Sequence, residues 1–104
     1  MPAGRPALRP ADLALVRALL REAGARHAVA YGSRARGDAR PGSDLDLAVA
    51  GLDERAVSRL RAALDEAPLP FTCDVVNLDT LPAGPLRAAI ERDGAPVLEA
   101  TAEP

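Results

Sequence analysis

A chain of 104 residues with 48% hydrophobic content can bury roughly two-thirds of its unfolded surface, and with only 2% aromatics its core must be aliphatic. The net charge of −2 offers no bulk attraction for nucleic acid, and a single cysteine excludes an intrachain disulfide or a cysteine-based metal cage. No apolar run reaches bilayer length and no charged-then-apolar start suggests a signal peptide, so the expectation is one cytosolic domain, residues 1–104, with no membrane partner.

Residues 1–10 carry three prolines and are expected to form a loose arm. From Ala11, the positions Leu13, Leu15, Val16, Leu19 and Leu20 recur at helical spacing, with Asp12 as a cap and Gly24 as the stop. RHAVAYG reads as a first strand and LDLAVA as a second. DERAVSRLRAALDEA follows as an amphipathic helix, with Val57, Leu60 and Leu64 turned inward and Pro68 and Pro70 ending it. FTCDVVNL is a third strand. PLRAAIERDG is a last helix with Pro85 early and Gly94 past its end, and APVLEA adds a short edge strand. Alternating helices and strands predict an α/β domain with a small sheet.

The second strand carries an anomaly. Leu45, Leu47 and Val49 alternate as a half-buried strand requires, yet Asp44 and Asp46 open the other face. Two adjacent carboxylates repel by about 3 kcal/mol at ~5 Å and an effective dielectric near 20. A third acid, Asp74, interrupts FTCDVV and can share that face if its strand lies beside the second. Three clustered carboxylates call for a cation, and oxygen ligands without His or Cys suit magnesium or manganese. Upstream, Gly32 allows close approach of backbone, and Ser33 is expected to cap a short helix whose N–H groups attract phosphate. Acids that hold metal, facing a turn that holds phosphate, make a site for a metal–nucleoside triphosphate.

These residues also carry a resemblance. Gly32, Ser33, Ala35, Arg36, Gly37, Ser43, Asp44, Asp46, Leu47 and Asp74 resemble the motif of the minimal nucleotidyltransferases of the DNA polymerase β superfamily. The resemblance implies that superfamily's α/β fold, a small mixed sheet with flanking helices. It implies that Gly32 and Ser33 hold the triphosphate, with Arg36 and Ser43 in the nucleotide-binding set. Asp44 and Asp46 would hold two magnesium ions, and Asp74 would help hold one of them and orient or deprotonate the acceptor. Many small bacterial members are antitoxins that transfer AMP from ATP to a tyrosine of a partner HEPN-domain toxin.

Two other functions fit less well. A small-molecule nucleotidyltransferase, acting on an antibiotic for example, usually carries an added helical domain, for which these residues leave no room. A module that neutralises its partner by binding alone has no need of an intact acidic triad. Among the remaining residues, Arg34 and Arg40 read as an exposed basic loop and Asp38 as their salt partner. Asp79 reads as a loop or cap residue, His27 as structural and Cys73 as a small core residue facing away from Asp74. Tyr31 is expected beside the turn, within reach of a base. All thirteen basic residues are arginine, which beside abundant Ala, Gly and Pro reads as compositional bias.

Overall fold

A computed structural model describes residues 6–37, 40 and 42–99. The elements follow in the order α1 (Pro10–Ala23), β1 (His27–Tyr31), α2 (Ser33–Arg36), β2 (Leu45–Ala50), α3 (Glu54–Glu66), β3 (Cys73–Asn77), α4 (Pro85–Asp93) and β4 (Ala95–Leu98). They form one mixed sheet of order β3-β2-β1-β4. β1 pairs antiparallel with β2 and with β4, while β2 and β3 run parallel, which requires the crossover that α3 supplies.

One face of the sheet builds the core. Val16 and Leu20 of α1 and Val57, Leu60 and Leu64 of α3 pack on Leu45, Leu47 and Val49 of β2, with Ala28 and Ala30 from β1. The inward positions expected of α3 are those that are buried. On the other face α4 covers β1: Ile90 is buried, and Gly94 sits against Val29 so closely that a Cβ would press on it. Elsewhere on that second face Ala48 and Val76 lie beside Val29, and the polar side chains of Tyr31, Asp46 and Asp74 take the end nearest Asp44. Among the described residues, no helix is long and apolar enough to cross a membrane.

The start of α1 differs from expectation. α1 begins at Pro10 after Arg9, and the side chain of Asp12 caps nothing. Proline presets the helical φ and suits the first position, which moves the cap three residues upstream, from Asp12 to Arg9. Asp12 instead lies buried in the first turn, accepting from Arg9 Nε at 2.9 Å and Nη2 at 3.2 Å, at the end where the helix dipole favours an acid. α3 is capped conventionally, with Asp53 Oδ1 accepting from Ala56 N at 2.8 Å.

The arm is not loose where it is described. Pro6 is buried, and Ala7 N–H donates to Arg34 O at 2.8 Å. Residues 1–5 and Asp38 lie outside the described residues. Arginines also guard the strand edges: Arg61 donates to Val75 O of β3 at 2.8 Å, and Arg17 to Val97 O of β4 at 2.7 Å. Both are edge strands, where an unpaired carbonyl invites another chain.

Candidate active site

Strand pairing brings the acids together. Asp46 lies opposite Tyr31 of β1 on one side and Asp74 of β3 on the other. The three side chains therefore stand in a row across neighbouring strands, on the face away from the aliphatic core. Asp44, immediately ahead of β2, shares that face two residues before Asp46. Asp44 and Asp74 are exposed, whereas Asp46 and Tyr31 are half-buried.

The electrostatics follow from this row. Burial, and then Asp74 and Asp44, push the Asp46 carboxyl above its ordinary range, against the pull of Arg36. Burial, and then the Asp46 and Asp74 carboxylates, raise the Tyr31 phenol. The half-buried Cys73 packs on the core, and burial with Asp65 raises its thiol to about 11.

The turn after β1 meets the acids more closely than expected. Gly32 has φ 76° and ψ −152°, and a Cβ there would collide with Asp46 Oδ2. Glycine is needed because a carboxylate of the site lies against its backbone. Gly32 is itself the cap position of α2, so Ser33 is the first helical residue and caps nothing, contrary to expectation. The bonds of this turn begin with Ala35 N and Arg36 N onto Gly32 O, at 3.1 and 3.0 Å. The N–H groups ahead of them are those a helix start leaves unpaired within itself.

Other expected site residues have local partners. Ser43 Oγ accepts from Arg40 N at 2.9 Å, and Ser43 O receives Arg34 Nε and Nη2 at 3.0 and 2.9 Å. Arg34 is thus no exposed loop cation. Arg36, exposed at the end of α2, acts electrostatically on both Asp46 and Asp93. Asp79 stands apart from the acids and accepts from Gly51 N at 2.8 Å. Thr72, which the sequence did not single out, donates from Oγ1 to Asp44 Oδ1. Nothing in their spacing marks that pair, since 28 positions separate them. Beside Asp44 opens a cleft of about 410 Å³, lined by Leu64, Leu69 and Phe71 and edged by Asp65 and Thr72.

Among the described residues, no three of His, Cys, Asp or Glu form a ready-made metal cage. Magnesium does not need one, because it binds through one or two carboxylates and completes its shell with water and substrate phosphate. Clustered carboxylate oxygens, one held above its ordinary pKa by burial and then by its acidic neighbours, fit such an ion.

Residues 15–103 match the family described as "Polymerase beta, Nucleotidyltransferase". A Haemophilus influenzae protein described as probable protein adenylyltransferase MntA is 36% identical over 77 residues, covering 70% of this chain and 68% of its own. A chain from a toxin–antitoxin crystal structure with AMP-PNP superposes with TM-score 0.69 at 24% identity, over 86% of this chain and 74% of its own. A chain from a mutant MntA–HpeT toxin–antitoxin gives 0.68 at 22%, over 85% and 73%. At such identities both structures speak for the fold. The chain therefore belongs to the polymerase β nucleotidyltransferase family, with the minimal MntA protein among its relatives, and is a nucleotidyltransferase.

Proposed function

We propose that this protein is an antitoxin that transfers AMP from ATP to a tyrosine hydroxyl of a partner HEPN-domain toxin in the cytosol. The observation that carries the proposal is the pairing of Asp46 with Asp74, which puts acids from two strands on one open face beside the Gly32 turn. Likeness to a probable protein adenylyltransferase and to toxin–antitoxin structures supports the acceptor class.

In this reading, Asp44 and Asp46 hold magnesium, and the backbone at Gly32 and Ser33 receives the triphosphate, with Arg36 and Ser43 beside it. The metal supplies charge neutralisation at the phosphates and lowers the pKa of a bound hydroxyl. Asp74 orients the acceptor hydroxyl and takes its proton. The acceptor oxygen bonds to the α-phosphorus as the bond to the β-phosphate oxygen breaks, and pyrophosphate leaves. A half-buried Asp46 has lost part of its hydration, which strengthens its attraction for a cation.

The test is Asp74→Asn. It should bind magnesium–ATP as the parent does and transfer almost nothing, since only the chemical step loses a group. Co-expressed with the helical protein of the neighbouring gene, the parent should add mass to that partner in units of AMP. An unmodified partner would favour a small-molecule acceptor, and neutralisation by a transfer-dead variant would mean that binding suffices.

A further inference from the structure

We infer that Arg34 and Thr72 form one clamp that sets the direction of the Asp44 carboxylate. This rests on the assignment of Asp44 to the metal site.

Asp44 lies between two pinned peptide planes. The peptide before it ends in Ser43 O, which accepts two donors of the Arg34 guanidinium, at 3.0 and 2.9 Å. The peptide after it is held by Leu45 N–H donating to Thr72 O at 2.8 Å. Because each peptide is planar, fixing both leaves the Asp44 backbone little rotation. The carboxylate itself is then held by Thr72 Oγ1 on its Oδ1, leaving Oδ2 to a ligand.

Arg34 ties the two halves of the clamp together. Its guanidinium carbon lies 4.5 Å over the ring of Phe71, the residue preceding Thr72. A third donor, Nη1, reaches Ala7 O at 2.9 Å, while Ala7 N–H returns a bond to Arg34 O. Three guanidinium nitrogens are thus committed to carbonyls and one flat face to a ring. A planar fork can do this, and the point charge of lysine cannot. Arg34 is therefore a positioning residue, acting on the metal site through the main chain.

The test uses the full chain and does not depend on turnover. AMP-PNP binding is measured by calorimetry over a series of Mn2+ concentrations, giving the Mn2+ level at half-maximal binding. Arg34→Lys and Thr72→Val should each raise that level about tenfold, the low end of what losing a ligand's orienting partner costs. Thr72→Ser should restore parental behaviour, and the Arg34→Lys/Thr72→Val double should be no worse than the poorer single. A merely structural role would lower the melting temperature without moving the Mn2+ requirement, and that result overturns the clamp. So does additivity of the two substitutions, or a parental Mn2+ requirement in Arg34→Lys. Asp44→Asn serves as comparator: if it too keeps the parental requirement, the metal assignment of Asp44 falls, and the clamp with it.

Discussion

Replacing Gly32 with alanine tests the contact between turn and acid most directly. Two costs add. A side chain at φ 76° and ψ −152° occupies a region that is essentially glycine-only, at about 1 to 3 kcal/mol. The new Cβ also meets Asp46 Oδ2, and overpacking of this kind costs roughly 1 to 3 kcal/mol more. At an unfolding entropy of about 2.1 cal/mol/K per residue, each kcal/mol is worth about 4 to 5 °C in a chain of 104 residues. Gly32→Ala should therefore lower the melting temperature by about 10 to 25 °C in EDTA, followed by circular dichroism. Three backgrounds separate the parts. Asp46→Asn keeps the bulk, so the cost of alanine persists; Asp46→Ala removes the atom in the way, so about 1 to 3 kcal/mol of the cost disappears. An equal cost in all three backgrounds, or a total under ~0.5 kcal/mol, would refute the close approach as the reason for glycine.

Asp46→Asn alone should raise the melting temperature of the metal-free protein at neutral pH. The folded-state pKa of Asp46 is raised, so its stabilising protonation is complete below the unfolded pKa and is lost as pH rises through the folded one. The advantage of Asn should therefore fade in acid, and a gain that grows in acid would contradict the sign. With its thiol raised to about 11, Cys73 should react with iodoacetamide at pH 8 on the order of a hundredfold more slowly than a free thiol, and normally in urea. Native labelling at the free-thiol rate would count against its burial. Leu60→Ala, at a position 1% exposed, should cost about 2 to 5 kcal/mol in a urea melt, against under ~0.5 kcal/mol for Leu86→Ala at 42%. Similar costs at both positions would misplace the core.

The strands were legible because alternation is local, and the Asp-X-Asp pattern was visible as a break in it. That Asp74 shares the face of Asp46 hung on one condition, its strand lying beside the second, and the parallel pairing of β2 with β3 across the α3 crossover meets it. Asp12 was misjudged because a good cap residue stood near a better start signal, Pro10. The clamp on Asp44 was not legible at all. Arg34, Ser43, Phe71 and Thr72 meet only after the sheet has formed, and no periodicity joins them. Composition misled in a related way. Arg17, Arg34, Arg61 and Arg87 each spend guanidinium donors on main-chain carbonyls, a use that a count of basic residues cannot distinguish from bias.

Tyr31, Asp46 and Asp74 occupy a single rung of the ladder, one residue from each of three strands. The site is thus written across the chain's lines, and its punctuation is their relative offset. Lengthening the links at 51–53 or 78–84 leaves the offset untouched, since both lie at the far end of the strands from Asp44. One residue added inside 45–50 or 73–77 would turn every later side chain of that strand to the opposite face, carrying leucine or valine out of the core. Change in such a lineage is free to proceed by insertion at one end of the sheet, while within the strands it is confined to substitution.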